Sequence, residues 1–201
     1  MTMSDEIRKC KRCIDLKLVS YDKFNADQKP YVQFDVERSW KPGKVDVLFV
    51  AESPPWNGKQ RYFYNPVAEK RINLRTEVLS RLNLDKLEVF KERSYFLIDT
   101  IKCRLNKSIK KKVLYRIAKT CSQRFLLKEI RQLKPNTVFI LGNTAKYALE
   151  QTADFEELVQ HRITQDYDTN LSGYRVIVCP FPGGLTRKWT SEIDSAFMKI
   201  R

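Results

Sequence analysis

Four of the five cysteines have a spacing that could hold a metal centre. Cys10 and Cys13 form a C-x-x-C motif near the N-terminus, and Cys103 and Cys121 follow much later in the chain. Four thiolates can bind a Zn²⁺ ion or a [4Fe–4S] cluster, and spacing alone favours zinc as the commoner case. The basic residues around the C-x-x-C motif would favour the thiolate form. The alternative is a set of unrelated buried thiols, which is what we expect of Cys179 in a predicted strand.

Two carboxylates stand at the ends of predicted buried strands. Glu52 follows the apolar run 45–50, and Asp99 lies near the end of the apolar run 94–101. In an open α/β sheet, ligands bind beyond the carboxyl ends of the strands, and a buried carboxylate there is either paired or functional. The aromatic cluster 62–64 comes shortly after Glu52. This edge of the sheet therefore predicts a pocket for a small molecule or a base, the alternative being a proline-rich loop with a solvated glutamate.

The charge of the chain favours a polyanionic partner. It has 38 Lys and Arg residues against 24 Asp and Glu residues, a formal net charge of +14. A surplus of this size favours nucleic acid. The most basic stretch is 104–116, which we interpret as a phosphate-binding surface, with a solvated helix face as the alternative. Its candidate DNA contacts are Arg104, Lys107, Lys110, Lys111 and Lys112.

Apolar periodicity predicts an alternation of strands and helices along the chain. This order indicates a mostly parallel, four-stranded sheet covered by helices on both faces, a three-layer α/β/α arrangement in one domain over residues 1–201. The segment 31–36 alternates like a short edge strand, and 151–173 is too polar to assign. The predicted strands are 45–50, 94–101, 137–141 and 174–179, and the helices are 67–82, 117–133, 144–150 and a last one after residue 190.

Several protein classes do not fit this composition. No run of about 18 apolar residues exists that could cross a membrane, and the first residues lack the apolar segment of a secretory signal. We therefore expect a cytoplasmic protein, nucleoid-associated in a prokaryote, with no membrane partner, acting as a monomer. His161 is the only histidine, so the chain has no zinc-protease motif.

The order of these motifs resembles the iron–sulfur (family 4) uracil-DNA glycosylases of the uracil-DNA glycosylase superfamily. The resemblance covers nearly the whole chain, and its specificity lies in the joint order of motifs that are individually common. The motifs are Cys10-x-x-Cys13, Ala51-Glu52-Ser53-Pro54-Pro55, Asp99-Thr100-Ile101-Lys102-Cys103-Arg104, Cys121, Leu133-Lys134-Pro135, Leu141-Gly142-x-x-Ala145 and Phe181-Pro182-Gly183-Gly184-Leu185-x-Arg187.

The resemblance implies a cofactor and an activity. A [4Fe–4S] cluster, with zinc as the alternative, would be bound by the four cysteines of the set and would hold a DNA-facing loop. The enzyme would act in base excision repair on single- or double-stranded DNA. It would flip a deaminated or damaged nucleotide out of the strand and hydrolyse its N-glycosidic bond, uracil being the default base.

The resemblance also implies roles for individual side chains. Glu52 and Asp99 would be the catalytic carboxylates, since a carboxylate can aim water at a sugar that is cationic in the transition state. A ring from the cluster 62–64 would stack on the base, and the loop 181–187 would press into the duplex with an apolar wedge. The implied base contacts are Ser53, Phe63, Tyr64 and Phe181, and the implied loop contacts to DNA are Gly183, Leu185 as the wedge, and Arg187.

Three positions depart from the family pattern. Phe181 stands where the family's late loop begins with His, and Asp99 stands where the family has a uracil-reading Asn. The segment Ser53-Pro54-Pro55 lacks the glycines that let backbone N–H groups approach a base. An ionised Asp only accepts hydrogen bonds, so Asp99 would suit a base with an amino group or would activate water. The rival hypotheses are a non-catalytic iron–sulfur nucleic-acid-binding protein of the same fold and a zinc-stapled α/β enzyme acting on free nucleotides.

Overall fold

The computed structural model describes residues 2–18, 24–25, 29–55, 62–65, 74–105, 109–164, 167–183 and 189–201. Its strands are β1 (Phe24–Asn25), β2 (Val47–Ala51), β3 (Tyr95–Asp99), β4 (Arg104–Leu105), β5 (Thr137–Leu141), β6 (Tyr167–Leu171) and β7 (Tyr174–Cys179). Its α-helices are α1 (Met3–Lys9), α2 (Arg12–Asp15), α3 (Pro30–Gln33), α4 (Val36–Ser39), α5 (Leu74–Arg81), α6 (Leu87–Glu92), α7 (Lys111–Cys121), α8 (Leu127–Leu133), α9 (Asn143–Glu150) and α10 (Thr190–Met198). A π-helical turn, Ser122–Leu126, joins α7 to α8, and a 3-10 segment, Ala153–Gln160, follows α9.

Five strands of the described chain form one mixed sheet in the order β3-β2-β5-β7-β6. The first four are parallel, and β6 pairs antiparallel with β7 at one edge. The central strands are buried along their length, as expected where helices cover both faces of a parallel sheet. The predicted three-layer α/β/α arrangement is therefore confirmed. β1 and β4 form a separate antiparallel pair.

The prediction of four strands was one strand short. The missed strand is β6, whose sequence YDTNL is polar in the middle because only its two ends are buried. Asp168 of β6 instead accepts hydrogen bonds from Arg175 of β7, with Nη2 at 2.7 Å from Oδ2. An edge strand held by cross-strand polar contacts carries little of the apolar signal that identifies central strands.

The segment 31–36 is not an edge strand, as its alternation had indicated. It contains α3 and the start of α4, separated by Asp35 in a left-handed conformation with φ of 45°. Pro30 occupies the first turn of α3, where its missing N–H costs nothing. Tyr31 and Val36 are buried. The apolar residues of this segment therefore do face the core, but they do so from helices and not from the predicted strand.

Two predicted helices differ from the structure in their bounds. Of the predicted helix 67–82, the structure describes only the part from Leu74, and residues 67–73 lie outside the described residues. The predicted helix 117–133 begins earlier, at Lys111, and is interrupted by the π-helical turn. It ends at Leu133 as predicted, because Lys134 has a φ of 46° and Pro135 cannot continue the helix.

Aromatic rings fill the centre of the core. Phe49 of β2 lies 5.1 Å from Phe139 of β5 and 5.4 Å from Phe90 of α6, measured between ring centroids. Phe197 of α10 packs on Phe139 at 4.9 Å. This packing fixes the central strands, whose carboxyl ends carry the site. No helix in the described part of the chain is long and apolar enough to cross a membrane.

Candidate functional site

The two predicted carboxylates lie at the ends of neighbouring strands. Asp99 is the last residue of β3 and pairs in register with Ala51 of β2, so Glu52 is one residue further along the adjacent strand. The two chains stay joined beyond the sheet. The N–H of Thr100 donates to the carbonyl of Ala51 at 2.8 Å, and the N–H of Ile101 donates to the carbonyl of Glu52 at 2.9 Å. The parallel register therefore holds both carboxylates at one edge of the sheet.

The side chain of Glu52 is oriented by α9. Oγ1 of Thr144, in the first turn of that helix, donates a hydrogen bond of 2.5 Å to Oε2 of Glu52. The helix begins after Gly142, whose φ of 88° is available to glycine at little cost. The N–H of Gly142 donates to the carbonyl of Cys179 at the end of β7, at 2.9 Å. Thr144 thus binds one carboxylate oxygen of Glu52, and the hydrogen bond between Gly142 and Cys179 holds the start of α9, which carries Thr144, at the end of β7.

A cavity of about 400 Å³ opens beside Glu52 at the carboxyl ends of the strands. The structure brings three predicted site residues together in its wall, namely Glu52, Ser53 and Phe181. The predicted DNA contact Lys111 also lines it, as does Tyr115, which the sequence had not singled out. A cavity lined by a carboxylate, aromatic rings and a cation offers a ligand both polar contacts and a flat apolar surface.

Phe181 is held between two glycines. A Cβ atom at Gly183 would lie 2.7 Å from Cε1 of Phe181, and one at Gly142 would lie 3.1 Å from its Cβ. The ring therefore occupies space that only glycine leaves free at both positions. Leu185 and Arg187, which were predicted to contact DNA from the same loop, lie outside the described residues.

Asp99 is almost fully enclosed, with 6% of its surface exposed, and it does not line the cavity beside Glu52. Burial raises its pKa to about 7, with Glu129 and Glu52 acting in the same direction and Lys102 opposing them. Near pH 7 a large fraction of Asp99 is therefore neutral. A neutral carboxyl carries one O–H donor and one C=O acceptor, which is the pattern of an Asn amide. This finding changes the interpretation from the sequence, which treated Asp99 as ionised.

The predicted stacking residues lie in the core. Phe63 and Tyr64 are 3% and 1% exposed, and Phe63 packs edge-on against Phe90 at 5.3 Å. The hydroxyl of Tyr64 accepts from the N–H of Leu97 at 2.7 Å and donates to its carbonyl at 3.0 Å. Neither residue lines the cavity beside Glu52. Base stacking by Phe63 or Tyr64 stays a prediction.

The predicted basic surface divides into an interior and an exterior part. Arg104 is only 2% exposed, and its Nε and Nη2 have no hydrogen-bond partner. Burial lowers the pKa of this guanidinium. Lys110, Lys111 and Lys112 are exposed at the start of α7, in the position expected of phosphate contacts. Lys107 lies outside the described residues.

The four cysteines of the predicted metal centre line one small cavity. Cys10 ends α1, Cys13 lies in α2, Cys103 follows β3, and Cys121 is the last residue of α7. Chain segments far apart in sequence thus bring four sulfur atoms to a common space. Among the described residues, no group of three or more His, Cys, Asp or Glu side chains has the arrangement that holds a metal ion.

Burial raises the pKa values of Cys13, Cys103 and Cys121. It raises the pKa of Cys13 to about 12 and that of Cys121 to about 11, although the backbone N–H of Lys102 donates to Cys121. No cation is among the groups that shift the pKa of Cys13, so the expectation that the basic residues around the C-x-x-C motif favour its thiolate is wrong for this residue. Thiols of this kind lose their protons when a metal takes their place.

Two buried lysines near the cysteines were missed by sequence reasoning. Nζ of Lys29 donates to the carbonyls of Arg8 at 2.6 Å and Cys10 at 2.8 Å, which holds the end of α1 in place. Lys102 forms an ion pair with Glu129 in which the two side chains are 1% and 4% exposed. In the sequence these two lysines cannot be told apart from the many other lysines of the chain, and only their burial in the structure distinguishes them.

The comparisons with known proteins identify one family. A family model described as the Uracil DNA glycosylase superfamily matches residues 39–200. The matched segment begins after Cys10 and Cys13 and includes Glu52, Asp99 and Phe181. No curated protein matches the chain.

Proposed function

The chain belongs to the uracil DNA glycosylase superfamily, and from this premise we propose that it is a DNA glycosylase of base excision repair. It hydrolyses the N-glycosidic bond of a nucleotide flipped out of DNA, with uracil as the default base. One observation carries the proposal. Glu52, with one oxygen fixed by Thr144, lies in the wall of a cavity at the carboxyl ends of parallel strands.

Glu52 supplies the charge that the reaction needs. Breaking the glycosidic bond leaves positive charge on the sugar, and a fixed carboxylate stabilises that charge and aims a water molecule at the anomeric carbon. The hydrogen bond from Thr144 limits the directions in which Glu52 can point. The enzyme therefore does not have to reorganise this carboxylate as the charge develops.

Asp99 reads the base in its neutral form. The carbonyl oxygen of a neutral Asp99 accepts from the imide N–H of uracil, and its O–H donates to the adjacent carbonyl oxygen. The raised pKa of Asp99 supports this role because it keeps the proton in place near pH 7. Phe181 has no proton to give to the departing base, so the O–H of Asp99 is the donor that meets the developing negative charge.

The four cysteines hold a [4Fe–4S] cluster in this proposal. The four cysteines line one cavity, which suits four thiolate ligands of either zinc or a cluster. The resemblance of the motif order to the iron–sulfur members of the superfamily favours the cluster. When bound, the cluster supplies structural cross-linking. It joins α1 and α2 to the end of α7.

A second candidate is a non-catalytic DNA-binding protein of the same fold. Phe181 favours it, because no imidazole is present there, and so do Pro54 and Pro55, which replace residues that let a base approach the backbone. The cations Lys110–Lys112 would serve either protein equally. Only chemistry on the DNA distinguishes the two.

A base-release assay tests the proposal. Protein purified without oxygen is incubated with oligonucleotides that each carry one uracil, hypoxanthine, xanthine or 5-hydroxymethyluracil, and alkali then cleaves abasic sites. Release of uracil supports the glycosylase proposal with Asp99 as a neutral reader. Release of another base alone supports a glycosylase with a different substrate. Tight DNA binding without any release favours the binding protein.

A further inference from the structure

Two tyrosines form a stack on the surface beside the cavity. Tyr115 of α7 and Tyr147 of α9 have ring centroids 4.3 Å apart and an angle of 15° between their planes. Both side chains are only partly buried. Other stacked pairs among the described residues have ring centroids 5.3 to 6.2 Å apart, so this pair is stacked more tightly than they are.

The stack is continuous with the candidate active site. Tyr115 lines the same cavity as Glu52 and Phe181. Tyr147 stacks on the Tyr115 ring and does not itself line the cavity. Asn143, at the start of α9, is exposed and also lines the cavity. A group leaving the cavity on this side would therefore meet the ring of Tyr115 first.

One cation contacts the stack, and further exposed cations lie on the same helix. Nζ of Lys111 lies over the Tyr115 ring at 5.4 Å from its centroid. Lys110, Lys112 and Arg116 are also exposed on the same helix. Aromatic platforms next to cations bind single-stranded nucleic acid, because bases stack on the rings while the cations contact phosphates. The exposed cations favour a polyanionic ligand, and the Tyr115 ring favours a ligand with a flat group that can stack on it.

We propose that Tyr115, supported by Tyr147, binds the nucleobase that neighbours the excised nucleotide, while Lys111 contacts the adjacent phosphate. The inference rests on the proposed function, since it takes the cavity beside Glu52 as the place of the target nucleotide. It adds a second base-binding site to the protein. Because only an unpaired base can offer its face to a protein ring, the site makes single-stranded or locally opened DNA the preferred substrate.

The test uses DNA in which the target site holds no base. Fluorescence anisotropy measures the affinity of the full-length protein for two single-stranded oligonucleotides, each with one tetrahydrofuran residue at the centre. In the first the flanking residues are thymidines, and in the second they are also tetrahydrofurans. The wild-type protein is expected to bind the first about tenfold more tightly, as one stacked base contributes about that factor.

Variants assign the effect to the tyrosine. Tyr115→Ala and Tyr115→Leu are expected to bind the two oligonucleotides equally, while Tyr115→Phe keeps the preference because it keeps the ring. Lys111→Ala is expected to weaken binding to both by a similar factor. Thermal unfolding of each variant identifies any that do not fold. Tyr115→Leu and Tyr115→Ala replace the ring in two ways, so the one that folds carries the test, and equal wild-type affinities overturn the inference without any variant.

Equal affinity of the wild-type protein for the two oligonucleotides would overturn the inference, as would an unchanged preference in a folded Tyr115→Leu variant. Base release from a uracil oligonucleotide is measured in parallel. If the base preference depends on Tyr115 but no lesion is ever released, this inference stands and the glycosylase proposal fails. If uracil is released and Tyr115 has no effect on the preference, the reverse holds.

Discussion

Thr144 and Glu52 are joined by a hydrogen bond that connects the first turn of α9 to the end of β2. Ninety-two positions separate them in sequence, yet both lie where parallel strands end. Thr144 is only 5% exposed, so its hydroxyl has few partners other than the carboxylate. This contact connects the fold to the proposed chemistry, because the sheet register and the start of α9 together decide where Glu52 points.

Removing the hydroxyl of Thr144 should slow catalysis without weakening substrate binding. Thr144→Val keeps the shape of the side chain but leaves Glu52 without its donor, and a hydrogen bond to a charged group contributes about 1.5 kcal/mol. We expect kcat to fall about tenfold with KM unchanged. Thr144→Ser is the matched control and should keep kcat. A change confined to KM would contradict a role in orienting Glu52.

The contact between Phe181 and Gly183 predicts a packing conflict. Gly183→Ala would place a methyl group 2.7 Å from the Phe181 ring and force the ring to move. We expect the free energy of unfolding in urea to fall by about 1–3 kcal/mol. Gly43→Ala is the control, because no atom lies within 4 Å of its added Cβ. In a Phe181→Ala background the penalty of Gly183→Ala should largely vanish, and a full penalty there would exclude this explanation.

Uracil release should depend on pH through Asp99. Its raised pKa of about 7 means that the neutral, uracil-reading form is lost as pH rises through 7. We therefore expect kcat/KM for uracil to fall above pH 7 in the wild-type protein. Asp99→Asn should remove this fall, since an amide has the same donor and acceptor and does not titrate. If activity rose through pH 7 instead, Asp99 would be acting as an ionised base.

The same substitution should change the pH dependence of stability. The folded protein holds the Asp99 proton more tightly than the unfolded chain, whose pKa is 3.8. Wild-type stability is therefore expected to decline between about pH 4 and pH 7. Asp99→Asn should be more stable than the wild type above pH 7, by at most about 4 kcal/mol, and similar to it near pH 4. Urea unfolding at the two pH values checks the sign.

Metal retention should depend on Cys121 and not on Cys179. Cys121 lines the cavity with three other cysteines, whereas Cys179 is fully buried in β7. Cys121→Ser purified without oxygen is expected to lose bound iron and visible absorbance, and Cys179→Ser should keep both. Iron and sulfide analysis measures the outcome. Zinc in place of iron in the wild-type protein would contradict the cluster proposal.

Much of the site at the carboxyl ends of the strands could be predicted, because its residues directly follow apolar strands. Glu52 and Asp99 each come where a buried run meets polar sequence, and parallel pairing, with Asp99 opposite Ala51, then brings both to the same edge of the sheet. The four cysteines could be grouped by residue type and spacing, with Cys179 set apart because it lies in a predicted strand. These inferences need only local pattern and the rule that ligands bind at the carboxyl ends of strands.

The remaining features depend on tertiary contacts that no local pattern reports. Thr144 lay within a predicted helix, and nothing in its neighbours indicated a hydrogen bond to Glu52. The pKa of Asp99 is raised mainly by burial, and the residues next to Asp99 in the sequence do not reveal how deeply its side chain is buried. Arg104 was predicted at the surface because its run is basic, and it is buried. The stack of Tyr115 on Tyr147 depends on the packing of α7 against α9.

The most direct test of the central claim is a single-turnover measurement of base release by the wild-type protein and Glu52→Gln. Each is mixed in excess with an oligonucleotide that carries one uracil, and binding to the same DNA is measured by anisotropy. We predict uracil release by the wild type and a rate at least a hundredfold lower for Glu52→Gln, with DNA affinity unchanged. Equal rates for the two proteins, or no release by a wild-type protein that binds DNA tightly, would contradict the proposal that Glu52 directs glycosidic hydrolysis.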